Sequence, residues 1–328
     1  MSQTIVKPSL IALDWGTSSL RGYLMGSGRE ILQERSSDHG IQNLPAPGAR
    51  GFEQAFNDLC SDWLTHFPGL PVVAGGMVGS AQGWREAPYV DCPADVTKLA
   101  SQAIELDGPF NSKIHIAPGV LSVSESSAPD IIRGEEIQIA GALHLHPELR
   151  ETSLAVLPGT HSKWIITQNA RIMNFATYMT GEIFSILRHH SILGRLMVEK
   201  TTDRRIAAED AFKRGLQVSD QAAGSDLTHL LFATRTCGLM GQIDKDVLND
   251  FLSGLLIGHE VCNARRFAAE AIEAKSPLII IGADHLAERY GLALEYFGIR
   301  GARQLHNTAP VGLFDFAVAV GLVPDVKT

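Results

Sequence analysis

The sequence predicts an α/β protein built from two domains. Its 328 residues exceed the size at which a single hydrophobic core usually stops growing. Two strand–turn–strand units, one near the N-terminus and one near residue 155, each open a segment in which further strands and helices follow. We therefore expect a first domain over 1–134, a second domain over 135–310, and a cleft that both domains face. A helix within 311–328 is expected to pack back on the first domain.

The composition excludes several classes of protein. Hydrophobic residues make up 45% and charged residues 20%, which is the balance of a packed globular chain. A net charge of −8 leaves no basic footprint for nucleic acid or an anionic membrane, so small-molecule partners are expected. The four cysteines lack C-x-x-C spacing, as in a reducing compartment, and no apolar run reaches the roughly 18 to 20 residues of a membrane span. Since the N-terminus has no signal-peptide core, a cytoplasmic location is expected.

The first half begins with a hairpin around a polar turn. The strand-like segments Leu10–Leu13 and Leu20–Met25 flank residues 14–19, which contain one glycine and three hydroxyl side chains. Apolar spacing of three and four predicts a helix over Phe52–Phe67. A buried strand at Pro71–Ala74 then runs into a long loop rich in glycine and aromatic residues. Loops of that length usually carry function.

The second half repeats the hairpin pattern. A helix with small residues is predicted over Ile137–Leu145, and strands at Leu154–Leu157 and Lys163–Thr167 flank a second polar turn. The chain is then expected to be mainly helical to about Ala274. The remaining predicted elements are a long amphipathic helix over Val247–Ala274, a strand at Leu278–Ile281 and a helix over Val311–Leu322.

The two polar turns have the composition of phosphate-binding sites. A triphosphate needs backbone N–H groups, hydroxyls and usually a magnesium ion held by a carboxylate. The turn at 14–21 offers a carboxylate, a glycine, three hydroxyls and an arginine, and the turn at 157–163 offers a glycine, two hydroxyls and a lysine. Neither turn matches the P-loop pattern, and both run from strand to strand. Either turn alone fits an ordinary hairpin, but the pair at the heads of both halves favours phosphate binding.

A family resemblance rests on six stretches: Ile11–Arg21, Gly76–Pro93, Arg133–Leu143, Leu157–Trp164, Tyr178–Leu193 and Ile279–Leu286. Among them GMVGSAQGWREAPYVDCPA, LPGTHSKW and YMTGEIFSILRHHSILG are long enough to be specific. Together they resemble the 2-dehydro-3-deoxygalactonokinases of the sugar kinase, heat-shock 70 and actin superfamily. The resemblance implies two ribonuclease-H-like domains with the actin-like ATPase fold. It also implies ATP-dependent, magnesium-assisted phosphorylation of the terminal C6 hydroxyl of 2-dehydro-3-deoxy-D-galactonate in galactonate catabolism.

The resemblance also implies roles for particular residues. The expected nucleotide-binding residues are Gly16, Thr17, Ser18, Arg21, Gly159, Thr160, His161, Ser162, Lys163, Gly282 and Ala283. The expected substrate-binding residues are Gly76, Met77, Trp84, Arg85, Tyr89, Thr180 and Glu182. Asp14 precedes the first turn and is expected to act as a catalytic carboxylate and magnesium ligand, although an Asx-turn explains it equally well.

The expected catalytic base is one of two adjacent glutamates. A sugar kinase needs a carboxylate that orients the acceptor hydroxyl and takes its proton. The superfamily usually has an aspartate at the start of the first connecting helix, where this chain has Glu135 and Glu136. Glu135 is preferred, but the sequence leaves the choice open. Without the resemblance, two acidic residues in a first helical turn would simply complement the helix dipole.

Several other chemistries lack support in the sequence. His189-His190 and His259-x-x-Cys262 have no completing metal ligands, Gly75–Gly79 lacks the dinucleotide spacing, and no G-x-S-x-G motif occurs. The remaining alternatives are a kinase of another sugar or sugar acid on the same fold, a nucleotide-dependent non-catalytic switch, and a sugar sensor. The sequence does not decide which arginine (Arg85, Arg133, Arg188 or Arg235) meets the substrate carboxylate. It also leaves open the sugar stereochemistry and the oligomeric state, including a homodimer.

Overall fold

The computed structural model describes residues 7–124, 127–198, 204–223 and 226–325. The last three residues of the expected C-terminal segment, 326–328, lie outside the described residues, as do the first six. Strands and helices alternate through both halves, so the α/β prediction is confirmed.

The strands in the described part of the chain follow the order β1 (Pro8–Trp15), β2 (Leu20–Gly26), β3 (Ile31–Ser37), β4 (Val72–Gly76), β5 (Tyr89–Asp91), β6 (Ile104–Asp107), β7 (Lys113–Ile116), β8 (Gly119–Ser124), β9 (Ser127–Ile132), β10 (Thr152–Leu157), β11 (Ser162–Gln168), β12 (Arg171–Tyr178), β13 (Leu278–Ile281) and β14 (Arg303–Leu305). The helices are α1 (Ala49–His66), α2 (Val96–Ser101), α3 (Glu135–Leu145), α4 (Thr180–His190), α5 (Arg205–Gln221), α6 (Leu227–Leu239), α7 (Leu248–Phe267), α8 (Ala269–Glu273), α9 (Asp284–Tyr296) and α10 (Ala309–Val320).

Two larger sheets share one strand order. Among the described residues, the first sheet has the order β3-β2-β1-β4-β7-β6, in which β1 pairs antiparallel with β2 and parallel with β4. The second sheet has the order β12-β11-β10-β13-β14, in which β13 lies parallel to both β10 and β14. β10, β11, β12, β13 and β14 thus take the places of β1, β2, β3, β4 and β7. This shared order is the ribonuclease-H-like arrangement, so the fold class implied by the resemblance is confirmed.

Each large sheet is covered by helices that bury an apolar face. In the first half, Phe56, Leu59 and Trp63 of α1 pack against Ile11 and Leu13 of β1. In the second half, side chains of α5, α7 and α9 pack against β10, β11 and β13. Burial of these apolar surfaces, worth about 25 cal/mol per Å², supplies most of the driving force for folding each half.

The chain divides into two compact units. Unit 1 comprises Met1–Glu151, Thr167–Asn174 and Asn307–Thr328, and unit 2 comprises Thr152–Ile166 and Phe175–His306. Helix α3 therefore belongs to unit 1, where it packs against α10. The sequence analysis instead assigned residues 135–145 to the second domain. The two helices lie in the same unit because Gly141 and Gly312 let their backbones approach closely.

The structure also differs from the sequence prediction in two elements. Residues 171–178, expected to begin a helical region, form β12 at the edge of the second sheet. The long helix expected over Val247–Ala274 is interrupted at Ala268, where α7 ends and α8 begins. The pairing of an edge strand and the break in a helix both depend on neighbours that are distant in the sequence, and the spacing of apolar residues within a segment does not reveal those neighbours. None of the helices in the described ranges combines the length and apolar character needed to cross a bilayer.

Candidate active-site groups in each unit

The first polar turn places a half-buried carboxylate at the end of β1. Asp14 pairs across the hairpin with Arg21, and Gly16 N–H donates to the Ser19 carbonyl to close the turn. Thr17 and Ser18 in this turn are exposed. Burial raises the pKa of Asp14 above its usual value; the Arg21 charge opposes this effect and Glu135 adds to it. The turn therefore combines exposed donors with a carboxylate whose negative charge is only partly compensated.

Two glycines, Gly76 and Gly134, lie close to Asp14. β4 runs parallel to β1 and ends at Gly76, which has φ +89°. A Cβ atom at this position would lie 2.7 Å from the Trp15 carbonyl oxygen and 3.7 Å from Asp14 Oδ1. Gly134, which has φ +106° and precedes α3, lies next to Gly76. A Cβ atom built on Gly134 would be 3.3 Å from the Gly76 Cα atom. A side chain at Gly76 would fill the space beside the carboxylate.

The two adjacent glutamates of α3 differ in environment. Glu135 is half-buried, and its Oε2 atom accepts from the Arg133 N–H at 3.0 Å. Glu136 is 1% exposed, and both of its carboxylate oxygens accept from the Gly134 N–H, at 2.9 and 2.7 Å. The pKa of Glu136 is raised to about 7, mainly by burial and to a smaller extent by repulsion from Glu135. Glu136 thus caps the helix from within the unit, whereas Glu135 lies near Asp14.

The burial of Glu136 predicts a pH-dependent stability. Because the folded-state pKa of about 7 lies above the unfolded value near 4.5, ionisation disfavours the folded state. The cost is absent below pH 4.5 and grows to about 3 kcal/mol as pH rises through 7. We expect Glu136→Gln to gain stability relative to the natural protein between pH 4.5 and pH 8, as measured by urea unfolding. The exposed Glu288→Gln is the control, and a stability difference for Glu136→Gln that does not rise with pH would contradict the prediction.

A cavity of about 550 Å³ lies beside the first turn. Its wall includes Ile41 and Gln42, whose N–H groups donate to the carbonyls of Gly16 and Thr17. Trp84, an expected substrate-binding residue, lines the cavity and packs in an aromatic cluster with Trp15, Phe52 and Phe56. The cavity is large enough for a small sugar acid.

The other expected substrate residues of unit 1 have different surroundings. Met77 is half-buried directly after β4, and Arg85 is exposed. Tyr89 is 37% exposed, and the guanidinium of Arg133 lies 4.3 Å from the centre of its ring. Arg133 Nη2 donates to the Ala87 carbonyl, while its Nε and Nη1 atoms are enclosed and have no hydrogen-bond partner among the residues that the structure describes. Arg133, which the sequence analysis offered as one of four arginine candidates, therefore lies in a tightly packed environment.

The second polar turn is supported by the start of α4. Glu182 N–H donates to the Thr160 carbonyl at 2.9 Å, and the Glu182 carboxylate contacts the His161 ring. Thr160 and His161 are exposed, so the turn presents a hydroxyl and an imidazole beside a helix N-terminus. A helix N-terminus favours anions through its free N–H groups and dipole. Thr180 and Glu182, expected to bind sugar, thus lie beside the expected phosphate turn.

A buried polar network anchors the second turn from below. Ser162, expected to bind phosphate directly, is fully buried, and its hydroxyl lies 2.6 Å from the Tyr290 hydroxyl. Tyr290 donates to Glu260 at 2.7 Å, and Trp164 Nε1 donates to the same carboxyl group at 2.8 Å. Burial raises the pKa of Glu260, although its hydrogen bonds oppose that shift. Lys163 is 7% exposed and donates to the His161 carbonyl. Ser162 and Lys163 therefore hold the shape of the turn.

A cavity of about 270 Å³ adjoins this turn within unit 2. Gly159 and the start of α4 form one side, and α7 and α9 form the others. The end of β13 lies close by, because a Cβ atom at Gly282 would contact Pro158 at 3.3 Å. Gly282 and Ala283, expected to meet the nucleoside, therefore lie beside the second turn, and α9 begins directly after them.

The structure thus assembles two sets of predicted residues, one in each unit. Unit 1 brings together Asp14, Gly76 and Glu135. Unit 2 brings together Gly159, Thr160, His161, Glu182 and Gly282. The sequence analysis did not identify Glu260, Tyr290, Asn249 or Arg289. A charged residue at 260, inside the otherwise apolar stretch of α7, was the available signal for a buried polar network. Among the described residues, no group of three or more His, Cys, Asp or Glu side chains is arranged to hold a metal ion.

Comparison with known proteins gives a consistent family. Residues 14–316 match the model of a family described as 2-keto-3-deoxy-galactonokinase. The chain is 33% identical over 290 residues to the 2-dehydro-3-deoxygalactonokinase of Escherichia coli (strain K12), covering 88% of this chain and 90% of that protein. It is 32% identical over 292 residues to the "Probable 2-dehydro-3-deoxygalactonokinase DgoK1" of Rhizobium meliloti (strain 1021), covering 88% and 89%.

A solved structure extends the similarity to the fold. The crystal structure of "a putative 2-dehydro-3-deoxygalactonokinase protein from Sinorhizobium meliloti" superimposes with a TM-score of 0.79 at 30% identity. The match covers 95% of this chain and 99% of that chain. Sequence and fold similarity therefore extend over nearly the same length.

Proposed function

Because the chain belongs to the 2-keto-3-deoxy-galactonokinase family, we propose that it phosphorylates 2-dehydro-3-deoxy-D-galactonate at the terminal C6 hydroxyl, using ATP and releasing ADP. Membership of this family makes the chain a sugar-acid kinase, a phosphotransferase with an alcohol group as acceptor. We propose three further features of the reaction: phosphorylation at C6, ATP as the phosphoryl donor, and a cytoplasmic role in galactonate catabolism. The observation that carries the proposal is the family match over 14–316, which includes both sets of assembled residues.

Unit 2 supplies the nucleotide-binding groups of this proposal. The turn at Gly159–His161 offers an exposed hydroxyl and an exposed imidazole to phosphate oxygens, and the dipole at the start of α4 favours an anion beside them. The 270 Å³ cavity beside them has mostly apolar walls, which suit a nucleobase and its ribose. Glu260, Tyr290 and Ser162 hold the turn in place, so its donors need little reorganisation when phosphate binds.

Unit 1 supplies the acceptor and cation groups. The 550 Å³ cavity beside the first turn, with Trp84 in its wall, is the proposed site for the sugar acid. Gly76, Met77, Arg85 and Tyr89 belong to the same unit and are the other expected contributors, although they do not line this cavity. The half-buried Asp14 carboxylate, repelled by nearby Glu135, is a fitting oxygen ligand for a hard cation such as Mg²⁺. Bound Mg²⁺ would neutralise charge on the phosphates.

Glu135 is the proposed general base, and Glu136 is a structural residue. A base must reach the acceptor hydroxyl, and Glu135 is the less buried of the two and lies in the field of Asp14. Glu136 has both oxygens directed to the Gly134 N–H inside the unit. Glu135 would accept the hydroxyl proton as the new oxygen–phosphorus bond forms and the bond between phosphorus and ADP breaks.

Coupled ADP release across a panel of sugar acids tests the proposed reaction. The panel contains 2-dehydro-3-deoxy-D-galactonate, its C4 epimer, D-galactonate, and an analogue lacking the C6 hydroxyl. We expect the highest kcat/KM for the first compound, no turnover of the 6-deoxy analogue, and a 6-phosphate product by phosphorus NMR. A higher kcat/KM for another acid would show that the other acid is the substrate. ATP binding without any sugar-stimulated ADP release would refute the proposed kinase activity.

A further inference from the structure

The start of α4 packs directly on the backbone of the second polar turn. A Cβ atom at Gly181 would lie 2.3 Å from the Gly159 carbonyl oxygen and 2.9 Å from the Thr160 Cα atom, so a side chain at this position would clash. The Glu182 N–H donates to the Thr160 carbonyl at 2.9 Å. The first turn of α4 and residues 159–161 therefore form one local structure within unit 2.

The two residues of α4 that were expected to bind sugar both have partners in this part of unit 2. The Thr180 side chain forms hydrogen bonds with Glu260 and Tyr290, which anchor the turn from below. The Glu182 carboxylate lies 2.5 Å from Nε2 of the His161 ring. Both side chains therefore support the second turn.

The contact with Glu182 occupies one of the two nitrogens of the His161 ring. The His161 side chain is 44% exposed and the Glu182 side chain is 38% exposed. Within the described ranges, Nδ1 of His161 has no hydrogen-bond partner. A ring that carries both protons donates from both nitrogens, one to the carboxylate and one to an oxygen of a bound phosphate. The exposed ring can therefore bind an anion while Glu182 holds its other side.

The pairing explains why a carboxylate lies beside an expected phosphate site. A lone carboxylate at this place would repel a phosphate, and the protonated His161 ring compensates the charge of Glu182. Ordering a mobile side chain at the moment of binding lowers affinity, and a ring that is already held avoids this cost.

We propose that Glu182 is a positioning residue that holds the His161 ring for binding of a nucleotide phosphate, and that Glu182 is not a ligand of the sugar acid. This gives one shared role to two residues that the family resemblance implied to bind different substrates. The inference rests on the proposed use of ATP and on the second turn as its phosphate site.

Calorimetric titration of the intact protein with ADP and Mg²⁺, together with steady-state kinetics, tests the assignment. We expect Glu182→Leu and His161→Leu each to weaken ADP binding about tenfold, since each removes the same charge-assisted contact. The double variant should then lose no more than about twofold beyond either single variant. In Glu182→Leu, KM for ATP should rise about tenfold, while KM for 2-dehydro-3-deoxy-D-galactonate should stay within about threefold. Glu182→Gln still offers Nε2 an acceptor and should bind ADP at least about threefold more tightly than Glu182→Leu.

Glu148→Leu is the matched control. Glu148 Oε1 lies 3.6 Å from Nδ1 of His146 in another His–carboxylate pair, which belongs to unit 1. Its ADP affinity should equal that of the natural protein. Unchanged ADP affinity in Glu182→Leu, or losses that multiply to about 100-fold in the double variant, would overturn the positioning role while ATP use stands. Failure of the natural protein to bind ADP would overturn the nucleotide assignment together with this inference.

Discussion

Glu135→Gln is expected to lower kcat by about 100-fold to 10,000-fold, the range in which a positioned general base contributes. The amide keeps the size of the side chain and still accepts a hydrogen bond, as the carboxylate does from the Arg133 N–H. It cannot take a proton from the acceptor hydroxyl. Because the proposed nucleotide cavity belongs to unit 2, ADP affinity should stay within about threefold of the natural value.

Coupled ADP release with 2-dehydro-3-deoxy-D-galactonate measures this loss, and calorimetry measures the affinity for ADP. Glu136→Gln is the comparison, since it changes the neighbouring carboxyl group but preserves an acceptor for the Gly134 N–H. It should keep at least about a third of the natural turnover. If Glu136→Gln loses turnover while Glu135→Gln retains it, the two roles are exchanged. Retained turnover in both variants would remove the proposed base altogether.

Gly141→Ala is expected to destabilise unit 1 by about 3 kcal/mol or more. A Cβ atom at Gly141 would lie 2.0 Å from the Thr308 carbonyl oxygen and 2.9 Å from the Gly312 nitrogen. Both neighbours are backbone atoms, so the added methyl group can be accommodated only if α3 and α10 move apart. The displacement would shift Glu135 at the start of α3, and turnover should fall together with stability.

Urea unfolding of Gly141→Ala measures the change in the free energy of unfolding. Gly291→Ala is the matched control, because Gly291 lies inside α9 and a Cβ atom there would meet nothing within 4 Å. This control should gain up to about 1 kcal/mol, since alanine is the better helix former. A free energy of unfolding for Gly141→Ala equal to that of the natural protein would show that the helix pair separates without cost.

Local sequence predicted the elements that carry the candidate site, although it missed some of their neighbours. Apolar strands around polar turns marked both hairpins of the two large sheets correctly. Gly159 lies in the second turn as expected, whereas Asp14, expected in the first turn, lies near the end of strand β1 and pairs with Arg21. The small residues of 137–145 and 311–322 marked helices that pack closely. The edge strand β12 was not predicted, because an edge strand forms through pairing with a neighbouring strand.

The sequence by itself determined the fold class, the family and the residue types available for phosphate, cation and proton chemistry. Only the tertiary structure distinguished Glu135 from Glu136, because successive residues of a helix point in different directions and one of these two points into the unit. Tertiary structure also decided that Ser162 is buried against Tyr290. The physical reason is that burial and hydrogen bonding are set by segments distant in the chain, such as α7 and α9 beneath the second turn, and a local pattern contains no information about them.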